Sequence, residues 1–245
     1  MNTAQKTTIN AEEIEHFSKT SDQWWDENGP FKPLHRLNPV RIKYIKDQIC
    51  THFDIDPDKA QPFKNLKILD IGCGGGLVCE PMARLGAKTS GIDADQKAIA
   101  CAKEHATLQD LDIEYICGDA ADLKQKYDVV LALEIIEHVN TPCEFVSICK
   151  TLLKPDSIVI FSTLNRTAKS YALGIVAAEY ILRWVPTGTH SWKKFIKPSE
   201  LARFARAQNF DIIDVSGLIF NPIKNEFCLS ENDLDVNYFM SVRNA

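Results

Sequence analysis

The sequence contains no pair of cysteines in C-x-x-C spacing, no apolar stretch near its N-terminus, no apolar run approaching a bilayer span and no excess of positive charge. Each absence removes a class of protein. The eight cysteines, Cys50, Cys73, Cys79, Cys101, Cys117, Cys143, Cys149 and Cys228, are scattered, several within predicted strands or helices. They read as reduced core thiols, which sets aside a disulfide framework and points to a cytoplasmic setting. The opening MNTAQKTTINAEEIEHF lacks the h-region of an export signal, and the apolar run at 172–178 falls far short of the roughly 20 residues that cross a bilayer. The chain is expected to be neither exported nor transmembrane. With 28 Lys and Arg against 33 Asp and Glu, the net charge is −5. Nucleic-acid binding, which rests on clustered cations, is therefore not expected. The charge is uneven, however: residues 165–197 carry Arg166, Lys169, Arg183, Lys193, Lys194 and Lys197 against the single acid Glu179, so one face is expected to be locally basic.

What is present is an alternation of strands and helices. Short apolar runs at 67–71, 88–92, 113–117, 127–133 and 157–163 read as strands with helical stretches between them, and 211–217 and 236–243 add two more. Alternation of this kind implies a parallel sheet with right-handed crossovers, that is, a doubly wound α/β fold. At 245 residues the chain fits one such domain, which removes roughly 70–75% of its unfolded surface from water. The expected organisation is an N-terminal helical cap (10–65), a core (66–163), an insertion (164–197) and a C-terminal part of the sheet (198–245). Asn10 is placed to cap a first helix with Glu13 as capping-box acid, and Asn38 with Pro39 to start a second, whose buried stripe is Ile42, Ile45 and Ile49. Trp24, Trp25 and the Gly29-Pro30 break read either as a loop crossing the entrance of a site or as core filling beside these helices.

The most informative segment is 66–93. A strand ending in Asp70-Ile71 runs directly into Gly72, Gly74, Gly75 and Gly76, then into a helical pattern. Glycine permits positive φ and lets a ligand approach the main chain. About twenty residues on, the next strand ends in Asp93, where parallel α/β folds place a carboxylate for ribose hydroxyls. A dinucleotide G-x-G-x-x-G beginning at Gly72 would need glycine where Leu77 stands. The D-I-G-C-G-G-G pattern instead resembles motif I of the class I S-adenosylmethionine-dependent methyltransferases, which points to Gly72, Gly74 and Asp93 as cofactor contacts. Asp119, in the turn after the third strand, is a candidate acceptor for the adenine amino group or a plain turn residue.

The fourth strand delivers the chain into Glu134-Ile135-Ile136-Glu137-His138. If that turn is helical, Glu134 shares a face with Glu137 and His138. Two carboxylates and an imidazole there suit a hard cation such as Mg²⁺, or proton removal by His138 near neutral pH. The two roles are compatible, since a metal that binds a phenolic oxygen eases loss of its proton.

Taken together, HRLNPVRIKYI (35–45), the glycine segment, EIIEHV (134–139), FSTLNRTAKSY (161–171), AAEYILRWVPTGTHSWKKFIKP (177–198), NPIKN (221–225) and DVNYF (235–239) closely resemble the ubiquinone-biosynthesis O-methyltransferases, over nearly the whole chain after about residue 10. The resemblance implies a Rossmann-like, mostly parallel seven-stranded sheet with N-terminal helices and a helical insertion after the fifth strand. It implies methyl transfer from S-adenosylmethionine to a catechol hydroxyl of a polyprenylated ring, on a polyprenyl-hydroxyphenol and later on the demethylated ubiquinol. The family's cofactor contacts fall on Arg41, Gly72, Asp93 and Leu133, and an acidic cluster that serves as a Mg²⁺ site in the eukaryotic branch falls on Glu134, Glu137 and His138. Cys79 and Pro81 depart from the family pattern, and Leu133 stands at a variable position whose contact is expected from the backbone. Arg41, with its planar fork, suits the carboxylate at the cofactor's methionine end.

A polyprenyl tail keeps the substrate in the bilayer, so a peripheral membrane association is expected. Tyr171, Leu173, Ile175, Val176, Tyr180, Ile181, Leu182, Trp184 and Val185 offer apolar and interfacial groups, while Arg166, Lys169, Arg183, Lys193 and Lys194 offer charges for anionic lipid. The competing reading of 165–197 is a lid that never touches lipid. Other enzymes of ubiquinone biosynthesis are further candidate partners. The alternatives in function are a non-catalytic cofactor-binding scaffold subunit and a class I methyltransferase with another acceptor.

Overall fold

A computed structural model describes residues 9–10, 14–15, 18–172, 192–221, 224 and 226–244. Eight strands form one sheet: β1 (Lys67–Ile71), β2 (Lys88–Asp93), β3 (Ile113–Cys117), β4 (Tyr127–Leu133), β5 (Leu153–Leu164), β6 (Phe210–Asn221), β7 (Glu226–Ser230) and β8 (Asn237–Asn244). Their order is β3-β2-β1-β4-β5-β8-β6-β7. The five strands from β3 to β5 are parallel, and β8 enters antiparallel between β5 and β6. β1 and β4 are buried along almost their whole length, as strands covered on both faces must be.

Five helices matter for the site: α1 (Lys32–His52), α2 (Cys79–Arg84), α3 (Gln96–Leu108), α4 (Pro142–Thr151) and α5 (Pro198–Ala207). α1 brings Tyr44, Ile45 and Ile49 to one face of the sheet, with Ile68, Leu131 and Ile160 beneath them. Phe145 and Cys149 of α4 and Leu201 and Ala205 of α5 cover the other face over Val130, Val159 and Phe161. Each large apolar side chain buried there, such as Ile45, Phe145 or Leu201, contributes roughly 1.5–3 kcal/mol of hydrophobic stabilisation.

Several expectations change. The sheet has eight strands, not seven, because Glu226–Ser230 forms a hairpin with the outer end of β6. The second helix begins at Lys32 rather than near Asn38: Pro33 occupies its first turn and Pro39 lies inside it. Of the expected stripe, Ile45 and Ile49 are fully buried and Ile42 only partly. The cysteines are all free thiols, but Cys117 and Cys143 are exposed. Glu13, and the expected lipid-facing Leu173, Ile175, Val176, Tyr180, Ile181, Leu182, Arg183, Trp184 and Val185, lie outside the described residues. Among the described residues, no helix is long and apolar enough to cross a membrane.

Candidate functional site

The strand order reverses direction between β1 and β4, and in open parallel sheets ligands bind outside the carboxyl ends at that point. Two turns meet there, one glycine-rich and one acidic.

In the first, Gly72, Gly74 and Gly76 have φ of +74°, +51° and +88°, values that side chains rarely adopt. Space is equally restrictive. A Cβ on Gly72 would stand 2.8 Å from Ile135, and Cβ atoms on Gly74 and Gly76 would lie well inside 3.0 Å of the Trp24 indole and the Tyr115 hydroxyl. The amides of Gly72 and Cys73 donate to Ile92 O, at 2.8 and 3.2 Å, fastening the turn to the end of β2. Asp93 is held from both sides: Oδ2 accepts from the Gly74 amide at 2.9 Å and Oδ1 from the Asp95 amide at 2.8 Å. Burial raises its carboxyl, and these backbone donors oppose the shift.

A cavity of about 170 Å³ runs along this turn, on a measure where one water needs roughly 10–15 Å³. Gly72, Gly74, Asp93, Gly118 and Asp119 line one part, and Glu134, Ile135 and His138 another. Asp119 keeps both readings: its side chain accepts from the Ala121 amide at 3.0 Å, as a turn residue does, and it also faces the cavity. Among the described residues, Trp24 Nε1, which lines the cavity, and Asn38 Oδ1, Arg41 Nε and Nη2, and Glu137 Oε1 are buried without a partner; Arg41 feels the charge of Glu134, which lines the cavity too. Since buried polar groups are nearly always paired, this set fits a ligand carrying both donors and acceptors. A nucleoside joined to an amino acid meets that description.

Arg41 is a buried guanidinium, 4% exposed. Burial lowers its pKa, and the carboxylates of Glu134, Asp70 and Glu137 oppose that shift. Asp70, ending the apolar part of β1, is pushed up to about 7 by burial, against the pull of Arg41 and of the Cys79 thiol, whose Sγ lies 3.6 Å from Oδ2. Leu133 is buried at the end of β4 and packs into the α1-facing core.

The acidic segment is not helical, so Glu134, Glu137 and His138 do not share a helix face. Glu134 has φ +53°, and the chain folds back in a tight turn closed by the His138 amide on Ile135 O at 2.9 Å. The carboxylates are brought together by other means. Glu134 accepts from Ser162 Oγ at 2.7 Å and from Asn237 Nδ2 at 3.2 Å to each oxygen. Glu137 Oε2 accepts from Thr163 Oγ1 at 2.8 Å. Burial and the neighbouring Glu134 charge push the Glu137 carboxyl up to about 7, while His138 works against them. Two acids and a histidine are the right donor chemistry for a hard cation. Among the described residues, however, no three His, Cys, Asp or Glu side chains are grouped so as to hold a metal ion. The turn as folded does not fit the expected Mg²⁺.

Sequence reasoning did not assign roles to Ser162, Thr163 and Asn237, although all three stand in motifs already singled out (STLN and DVNYF). It also left Trp24 undecided; the indole lies against the glycine turn and lines the cavity. Of the basic residues expected to meet lipid, Arg166 is paired with Glu200, and Lys169 with Asp233 at 2.6 Å and Asp235 at 3.4 Å. Tyr171 and Trp192, 50% and 36% exposed, meet edge to face at the base of the insertion.

Residues 42–215 match the family model described as a methyltransferase domain. The chain is 48% identical over 241 residues to a ubiquinone biosynthesis O-methyltransferase of Bartonella bacilliformis, covering 97% of each. It is 45% identical to a mitochondrial ubiquinone biosynthesis O-methyltransferase of Arabidopsis thaliana, covering 96% of this chain and 74% of that one. Among solved structures, the fold is similar to a magnesium protoporphyrin IX methyltransferase from Synechocystis with bound SAH, at TM-score 0.66 and 16% identity, covering 95% of this chain and 98% of that one.

Proposed function

The chain belongs to the ubiquinone biosynthesis O-methyltransferases, and on that premise we propose that it transfers a methyl group from S-adenosylmethionine to a catechol hydroxyl of polyprenylated ubiquinone precursors. The observation that carries this reading is the single cavity shared by the glycine turn and the acidic turn, so that a cofactor on one faces a base on the other.

S-adenosylmethionine, when bound, supplies an electrophilic methyl group on a sulfonium. The protein's task is alignment and proton removal. Gly72 and Gly74 would let the cofactor approach the backbone, Asp93 would accept from the ribose hydroxyls, and Asp119 would accept from the adenine amino group. Arg41 neutralises the methionine carboxylate with its unpaired Nε and Nη2 donors, and Leu133 offers its backbone at the end of β4. Good alignment alone is worth up to roughly 7–11 kcal/mol. His138 takes the proton from the reacting hydroxyl, with Glu134 and Glu137 favouring the imidazolium that results.

The test is methyl transfer from labelled S-adenosylmethionine to a short-tail polyprenyl catechol by purified protein. Product is expected; cofactor binding without product would support the scaffold reading or another acceptor. A chelator arm tests the finer reading of Mg²⁺ at Glu134, Glu137 and His138, which the turn as folded does not fit. Activity that survives chelation is expected and leaves proton removal to the side chains; activity lost and restored by Mg²⁺ would mean that the turn rearranges to take a cation.

The acceptor's tail places the reaction at a membrane surface, since each methylene exposed to water costs about 0.8 kcal/mol. We assign the docking role to residues 165–197, with the exposed Tyr171 and Trp192 as interfacial aromatics and Arg183, Lys193 and Lys194 as the charges for anionic lipid. Charge reversal at those three cations is expected to weaken co-sedimentation with anionic vesicles while sparing cofactor binding; unchanged sedimentation would favour a lid.

A further inference from the structure

Trp24 carries a buried indole N–H with no acceptor among the described residues, and the residue lines the cavity beside Gly72, Gly74 and Asp93. Apolar packing does not account for it. A phenyl ring would fill the same space without burying a donor, and an unpaired buried donor is costly. Its position is also closely specified. The indole and its Cβ lie against Gly74 and Gly75, where a Cβ on either glycine would come well inside 3.0 Å of it. The ring stacks on Phe31 with centroids 3.7 Å apart and planes 10° from parallel.

The segment around it is tethered on several sides. His35 Nε2 lies 2.8 Å from Trp24 O. Trp25 Nε1 donates to Gly75 O at 2.9 Å, and its ring stacks on His105 at 3.5 Å. His105 Nδ1 in turn lies 2.5 Å from Glu80 Oε1 on α2, and the Ser21 hydroxyl donates to Asp95. The glycine turn, α1, α2 and α3 thus all hold one stretch of chain over the cofactor loop. At its centre is an indole donor with no acceptor among the described residues.

We propose that Trp24 is a direct cofactor ligand: its indole N–H donates to an oxygen or nitrogen acceptor of bound S-adenosylmethionine or S-adenosylhomocysteine, and residues 21–31 form the wall against which the cofactor is held. This rests on the cofactor reading given above. The absence of a side chain at Gly75 then has a reason beyond backbone freedom, because it leaves room for the indole.

The experiment compares S-adenosylhomocysteine binding, by calorimetry and by tryptophan fluorescence, in the wild type, Trp24→Phe and Trp25→Phe. Trp24→Phe keeps the stack and loses the donor. Its Kd is expected to rise about tenfold, equivalent to about 1.4 kcal/mol, with the KM for the catechol unchanged and the ligand-induced fluorescence change lost. Trp25→Phe is expected to keep that fluorescence change. Wild-type affinity together with a retained fluorescence response in Trp24→Phe overturns the proposal. If Trp24→Phe does not fold, Gly75→Ala serves instead, since Gly75 does not have a positive φ and alanine adds only the Cβ that displaces Trp24. The same loss of affinity is expected there, and unchanged affinity overturns the proposal. A wild type that binds no S-adenosylhomocysteine overturns the cofactor reading, and this inference with it.

Discussion

The glycine turn after β1 and the acidic turn after β4 sit side by side at the same end of the sheet and are stabilised by opposite means. The first depends on backbone: three left-handed glycines, amides fastened to β2, and neighbours packed so close that no Cβ fits. The second depends on side chains reaching in from elsewhere, Ser162 and Thr163 from β5 and Asn237 from β8. A site can therefore be rigid for two reasons, steric exclusion or a hydrogen-bond network, and these should fail differently when perturbed.

The sharpest break is Gly76→Val. A β-branched side chain at φ +88°, against the Tyr115 hydroxyl, should cost about 3 kcal/mol in stability and abolish S-adenosylhomocysteine binding, read by thermal melting and calorimetry. Next is Glu137→Ala, expected to lower turnover about 10²–10⁴-fold while cofactor affinity stays within about twofold; loss of affinity with turnover retained would reverse the assignment of the two turns. Asp93→Ala should do the opposite, weakening S-adenosylhomocysteine about 10–100-fold through a lost charge-assisted acceptor.

The smallest effect concerns pH. Glu137 titrates at about 7 in the folded chain against an ordinary 4.5, so the folded state holds a proton that the unfolded state has released between those values. Stability conferred by the protonated group is lost as pH rises through that window. Glu137→Gln should therefore melt on the order of 5 °C above the wild type at pH 8 and no higher than it at pH 4. An equal gain at both would mean the carboxyl is not buried in its charged form.

The two turns were not equally legible in the sequence. β1, β3 and β4 coincide with their apolar runs, and the glycine turn announces itself because its geometry is local: the residues that need positive φ are the residues that supply it. The acidic turn is non-local. E-I-I-E-H has helical spacing, yet Glu134 turns left-handed and its carboxylate is held by residues 28 and 103 positions away. β7 escaped because EFCLS is short and is stabilised by pairing with the far end of β6, a partner that no local pattern reveals. α1 began earlier than expected because Pro33, in its first turn, starts it as readily as Pro39 would, and packing of Leu37 and Ile45 carries the helix past the interior proline.

The position of β8 between β5 and β6 has a consequence for how the protein is made. During synthesis, β5 can pair with β4, and β6 with β7, before β8 exists, but the two halves of the sheet stay unjoined and the β5 edge stays open. An open edge of that kind is a template for wrong pairing, so a chain stopped before Asn237 should be prone to aggregation. Closure also brings the Asn237 amide to Glu134. The last strand to emerge is thus the one that sets an acid of the site, and the chain gains its full chemistry only on completing its sheet.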